Sequence, residues 1–481
     1  MKTNSATNAQ IAASDATLST WLTANAGSGK TKVLIDRVAR LLLDGVQPEQ
    51  ILCLTYTKAA AAEMKNRLFD RLGKWAMLAD KELNSSLLEM GVHTQLGTEE
   101  LKKARTLFAR AIEVPGGLKI QTIHAFCASL LRKFPLEAGI SPQFRELDER
   151  GQSELYLKVL ELISKDKLTQ ESFEHFLKIA NASNWEEIIL KIVSKRHVFS
   201  KNKSRVEIFE AFNLNSNVSI DDDISAHFEQ NTLNLVRKIS DCLKKSSSKA
   251  DQKTAQELTE IASINLASIQ LLEKIFLYGK SAKSPFTAKL GKFSTKEMRS
   301  SFLVHFMDDI DDFMVRIEHF RSRRLSYQAA EASLSIHKFA ETFLAVYKAQ
   351  KHIKSLLDFD DLIDITVNLL TTAEVADWVL YRLDGGIDHI LVDEAQDTSP
   401  SQWRVIETLA QELTSGQGAR SSKPRTIFVV GDQKQSIYSF QGADPAQLDR
   451  VRDSFSAKLE GADKNLHCLL YTSPSPRDSD Q

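Results

Sequence analysis

Cysteine is scarce: 481 residues include only four, Cys53, Cys127, Cys242 and Cys468. They lie far apart and form no C-x-x-C pair, which excludes a disulfide frame or a cysteine zinc site. Reduced thiols and a cytoplasmic location are expected. Charge of one sign is lacking too, with 62 basic against 63 acidic residues and a net charge of -1. Nothing global therefore draws the chain to polyanions; any such site is local, or rests on stacking as much as on charge. No apolar run nears the roughly 18 residues of a membrane span, so no membrane partner is expected. The polar start, Met1 to Asp15, has no hydrophobic signal core. Glycine and proline nearly vanish from the middle. Between Gln152 and Asp384 only Gly279, Gly291 and Pro285 occur, so turn punctuation is missing and helical patterns dominate.

A chain of this length exceeds one ordinary core. Residues 1–140 alternate strand and helix patterns, with strands expected at Ile51–Thr55 and Leu118–Thr122 and helices at Lys58–Lys74 and Ile123–Phe134. That alternation argues an α/β fold with a parallel sheet. Residues 141–355 form a helical insertion. Its polar, basic stretch from Ser194 to Arg205 is either a solvated loop or a phosphate contact. From 356 to 460 the α/β texture returns, with strands at Ile387–Val392 and Thr426–Val430 and a helix at Ser401–Leu413. One sheet is thus interrupted by a helical domain and then completed. Residues 461–481 are expected to lie outside the lobe. Leu466–Leu470 suits a strand, but Tyr471 to Gln481 is a Ser/Pro tail that reads as non-native sequence ending an incomplete gene product.

The stretch Ala24-Asn25-Ala26-Gly27-Ser28-Gly29-Lys30-Thr31 follows a strand and opens a helix. It fits the phosphate-loop pattern except that Ala24 replaces the first glycine. Gly27 and Gly29 let backbone N–H groups face phosphate oxygens. Lys30 would reach the β- and γ-phosphates, and the Thr31 hydroxyl would bind Mg²⁺. Val33, Leu34, Val38, Leu41 and Leu42 recur at helical spacing, and Gly45 is a plausible stop. That helix would aim its positive end at the anion.

His389-Ile390-Leu391-Val392-Asp393-Glu394 is an apolar strand carrying two carboxylates to its C-terminal edge, where ligands bind in open parallel sheets. Asp393 suits holding Mg²⁺ through water, and Glu394 suits a general base for the attacking water. Together with the loop this predicts nucleoside triphosphate hydrolysis, with both segments meeting at adjoining strand tips. Further on, the Gln435 amide can accept from water and donate to phosphate. Tyr438 and Phe440 are either buried or stack on bases.

These segments, with Leu54 to Met64, Thr122-Ile123-His124-Ala125-Phe126, Val392 to Asp397 and Gly431 to Asp444, resemble the UvrD/Rep superfamily-1 helicases. The loop and the 431–444 segment are most similar to the AddA-type helicase–nuclease chains of that family. The resemblance implies a RecA-like P-loop lobe, ATP with Mg²⁺, and 3′–5′ movement on single-stranded DNA from broken duplex ends. The AddA-type likeness adds an AddB-like partner. Gln10 falls at the adenine-reading glutamine, Tyr56 at an aromatic facing a base, and Thr122 and His124 along single-stranded DNA. Gln435 matches the γ-phosphate sensor, Tyr438 and Phe440 the aromatic pair over which bases step, and Gln396 and Asp397 a coupling segment. Lys58-Ala59 replaces the usual Asn-Lys of UvrD-type chains, and Gln441 replaces an arginine. The family also implies a second lobe supplying arginines, which this sequence lacks. A UvrD/Rep-like repair helicase without nuclease, and a fragment binding ATP and DNA without competent catalysis, are the alternatives.

Overall fold

Several strand segments are buried on both phases of the two-residue repeat, which requires a sheet covered on both faces. A computed structural model of the chain shows that sheet. It describes residues 5–25, 29–92, 97–114, 117–181, 183–201, 203–228, 230–372, 375–376, 378–379, 382, 386–414, 424–432, 445–461 and 464–471. The chain divides into two compact units, one of Met1–Glu149 with Ile353–Gln481 and one of Arg150–His352.

The first unit is α/β. Its sheet comprises β1 (Ser19–Ala24), β2 (Ile51–Thr55), β3 (Lys119–Thr122), β6 (His389–Val392), β7 (Thr426–Gly431) and β8 (Leu466–Tyr471), ordered β3-β2-β6-β7-β1-β8. Every neighbouring pair is parallel. Two strands from late in the chain are thus seated between β1 and β2. Alternate residues feed opposite cores. Leu52, Leu54, Ile390, Val392, Ile427 and Val429 point to one; Ile51, Cys53, Leu391, Phe428 and Val430 point to the other. The first core also holds the stacked rings of Trp21 and Trp403, 6.0 Å apart.

The Lys30–Leu43 helix ends as its sequence suggests. Gly45 adopts φ +90°, its N–H bonds Leu42 O at 3.1 Å, and the Val46 N–H bonds Leu41 O at 3.0 Å. This is the left-handed stop that glycine accepts without strain. Two expectations need correction. The tips of β1 and β6 do not adjoin, because β7 lies between them. Ending the lobe at 460 also stops one strand short, since β8 pairs with β1 over its whole length, through Tyr471 opposite Ala24. His467 and Cys468 are not buried on this edge strand, so it shows no buried-strand pattern. A two-stranded parallel pair, β4 (Arg145–Glu146) with β5 (Leu356–Leu357), was not legible: two residues carry no periodicity.

The second unit, taken by itself, is helical. Its longest helix, Met307–Ile353, runs 47 residues, about 70 Å at the standard rise. Ile310, Phe313, Met314, Ile317 and Phe320 on one face enter a core with Val236, Leu258, Ile269 and Phe276.

Candidate functional site

The loop after β1 opens the site. Ala24 is buried and still pairs as strand. It is not among the residues with positive φ, so a Cβ is tolerated where the loop pattern has glycine. Gly29 differs: it caps the Lys30–Leu43 helix at φ +87°. A Cβ there would also lie 3.0 Å from the Gln10 amide nitrogen. Asn25 is half-buried at the end of the strand, while Ala26, Gly27 and Ser28 lie outside the described residues. Lys30 is the first helical residue. Its side chain is 10% exposed and its Nζ stands 3.6 Å from Glu394 Oε2, without a hydrogen-bond partner. Thr31, half-buried, follows in the first turn. A buried ammonium at the positive end of a helix, beside open N–H groups, suits phosphate oxygens.

Two arginines hold Gln10 over this loop. Arg40 donates to Ile11 O at 3.1 Å and Ser14 Oγ at 3.0 Å, fixing the end of the Ser5–Ala13 helix. Arg37, one turn earlier, donates to Asp15 O, Leu18 O and Thr426 Oγ1. Burial pushes its guanidinium down to about 9.

The acid side comes from β6. The Asp393 N–H bonds Leu54 O at 2.9 Å, keeping this residue tied to β2. The chain then bends sharply, with Glu394 at φ +51°. A non-glycine residue there costs on the order of 1 kcal/mol or more, and such strain clusters at functional sites. Asp393 Oδ1 accepts the Glu394 N–H at 3.0 Å. Burial first, then the neighbouring Glu394 charge, pushes the Asp393 carboxyl up to about 6. The same two causes push Asp397 to about 6. Three carboxylates thus crowd one ammonium. A divalent cation would relieve them, and Asp393 with the Thr31 hydroxyl forms a suitable donor set. Among the described residues no group of three or more His, Cys, Asp or Glu could hold a metal. That fits Mg²⁺, which takes one or two carboxylates together with substrate phosphates.

Tyr56, Thr122 and His124 sit past the tips of β2 and β3, on the same sheet edge but on the other side of β6 and β7. Tyr56 is half-buried. The buried Thr122 hydroxyl caps the Ile123–Lys133 helix, accepting the Ala125 N–H at 3.2 Å. His124 packs 5.1 Å from the Phe359 ring, and burial lowers its basicity. In the basic stretch, Arg205 is taken by Glu331 at 2.7 Å and by the Phe209 ring at 4.0 Å. Gln435, Tyr438, Phe440 and Gln441 lie outside the described residues.

Sequence reasoning left Gln396 with only a family likeness and missed a polar group at the far end of the sheet. There, Gln50 Nε2 donates to Asp388 Oδ2 at 2.7 Å, Arg425 pairs with Asp388 at 3.4 Å, and His389 Nδ1 meets Thr426 Oγ1 at 2.8 Å. Its partners come from distant segments, so no local spacing announces it.

The profile of the UvrD/REP helicase N-terminal domain matches residues 4–456. Similar curated proteins are named as the AddA component of an ATP-dependent helicase/nuclease. That of Ligilactobacillus salivarius is 25% identical over 90% of this chain and 35% of its own length. The Enterococcus faecalis protein is 25% identical over 92% and 35%, and that of Latilactobacillus sakei 26% over 95% and 52%. The chain therefore spans between a third and about half of these relatives.

Proposed function

The chain belongs to the family of the UvrD/REP helicase N-terminal domain, and from that membership we propose that it is the ATP-binding, ATP-hydrolysing part of an AddA-like DNA helicase. In this reading residues 1–140 and 356–460 form a RecA-like lobe, and 141–355 a helical insertion between its halves. Lys30 and the loop N–H groups bind the phosphates, and Gln10 reads the adenine edge. Thr31 and Asp393 hold Mg²⁺, which when bound neutralises charge on the phosphates. Glu394 accepts the proton of the attacking water, and Gln435 senses the γ-phosphate.

One observation carries this reading. Lys30 Nζ, buried and lacking a hydrogen-bond partner, stands 3.6 Å from Glu394 at the C-terminal edge of a parallel sheet. Two segments from opposite ends of the chain converge there on a gap that suits an anion.

The longer protein's role is a proposal of the same kind: 3′–5′ unwinding from broken DNA ends in double-strand break repair, with an AddB-like partner. Tyr56, Thr122, His124, Tyr438 and Phe440 would line the single strand. Arginines that stabilise the transferred phosphoryl group, worth ~10³-fold or more, would come from a second lobe. Turnover by this chain alone is then slow. The test is ATP hydrolysis by this chain with and without single-stranded DNA. The expected result is tight Mg²⁺-dependent ATP binding, slow turnover and stimulation by DNA. Absence of ATP binding would overturn the reading.

A further inference from the structure

Gln396 spans the tips of β6 and β7. Its Nε2 donates to Glu394 Oε2 at 2.6 Å and to Asp397 Oδ2 at 3.2 Å, while its Oε1 accepts the Asp432 N–H at 2.8 Å. The side chain is buried. Its orientation is set by chemistry: turned over, the amide would place its oxygen against carboxylates and its NH₂ against an N–H. Gly431 makes the contact possible. A Cβ there would lie 2.8 Å from Gln396 Oε1, 3.2 Å from Ala395 Cβ and 3.3 Å from the Gln396 backbone nitrogen. Gly431 is not among the glycines with positive φ. Glycine therefore serves close approach here rather than backbone freedom.

Glu394 Oε2 is thus shared between Lys30 and Gln396. We propose that Gln396 is a positioning residue for hydrolysis: it aims the Glu394 carboxylate and links that aim to the place of the β7 tip. The inference rests on the reading of Glu394 as general base. When Lys30 turns to a phosphate, Gln396 still holds Oε2 and keeps the carboxylate from swinging away. A shift of the Asp432 backbone would pull on the same amide and move the base.

Two substitutions test this from opposite ends. Gln396→Met keeps the length and removes both hydrogen-bonded ends. Gly431→Ala leaves the amide chemistry intact and pushes it off β7. Single-turnover ATP hydrolysis, nucleotide affinity and thermal midpoint are measured for each and for the pair. Each single change is expected to slow hydrolysis by ~10- to 100-fold, the range for residues that orient a reacting group. Nucleotide Kd should move by less than about threefold. The double variant should be no slower than Gln396→Met alone, because both act through one amide. A merely structural role would weaken binding and lower the thermal midpoint along with the rate, and the two effects would add. Wild-type turnover in Gln396→Met overturns the proposal while leaving the hydrolytic site standing. Should Gln396→Met not fold, a normal rate in Gly431→Ala overturns it instead. If the unsubstituted chain binds ATP and never hydrolyses it, the reading of Glu394 falls and this inference with it.

Discussion

In the helical unit, Glu273 is buried and receives two arginines: Arg324 at 2.6 and 2.8 Å and Arg321 at 2.9 Å. In the sheet unit, Lys30 is similarly hidden, yet its ammonium finds only a carboxylate at 3.6 Å and no hydrogen bond. Asp397 Oδ1 nearby is also buried without a hydrogen-bond partner. Both units bury charge, which is expensive in either place. The first surrounds it with matching groups and gains a fixed packing. The second leaves it unfinished at a sheet edge, where an anion and a cation would complete it. Buried charge that is satisfied marks architecture, whereas buried charge that is not marks chemistry.

The largest expected effect probes the unfinished side. Glu394→Gln keeps the shape and removes the base. Single-turnover hydrolysis should fall by ~10²- to 10⁴-fold while ATP binding persists. Unchanged hydrolysis would mean that the strained carboxylate is structural, and the contrast between the units would collapse.

The satisfied side should respond in stability instead. Glu273→Gln strands Arg321 and Arg324 in the interior, and breaking such a buried pair costs about 3–5 kcal/mol. Urea unfolding should show that loss. A loss under about 1 kcal/mol would show the arginines reaching water.

A smaller effect sharpens the comparison within the sheet unit. Burial, then Arg37 and Arg425, hold the His389 imidazole down to about 3, against an ordinary value of 6.5. A base depressed in the native state contributes its full stability above the unfolded pKa and loses it as pH falls toward the native one. Stability should therefore drop between about pH 6.5 and 3, by at most about 1.4 kcal/mol per pH unit from this group. Asp393 and Asp397 act in the opposite sense. Raised from 3.8 to about 6, they cost nothing below pH 3.8 and destabilise as pH rises through 6. His389→Gln should flatten the acid-side slope of the urea midpoint, and an unchanged slope would remove His389 from the account.

What could be read from the sequence follows from how local each signal is. The strand Ile51–Thr55 was legible to the residue, because a short apolar run bounded by polar residues is unambiguous beside helical patterns. The acid pair was legible because the strand that delivers it precedes it directly. Arg37 was not: on a helix it looks like a solvent-facing residue, and it becomes buried only because Leu18 and Thr426 close over it. Thr122 shows the same limit from the other side. Its place beside His124 suggested a strand of DNA, while the fold already uses its hydroxyl as a helix cap. Gln396 looked like one more polar residue after the acids, and its part emerges only when β7 arrives beside β6.

The central claim is that Lys30 and Glu394 meet around one magnesium-bound nucleotide. Calorimetric titration of Mg²⁺–ATP into the unsubstituted chain, Lys30→Ala and Lys32→Ala tests it most directly, since Lys32 is an exposed lysine on the same helical turn. The expected result is a loss of affinity of ~100-fold or more for Lys30→Ala, the scale of a buried charge-assisted contact to phosphate, and no change for Lys32→Ala. Equal affinities for all three would contradict the account.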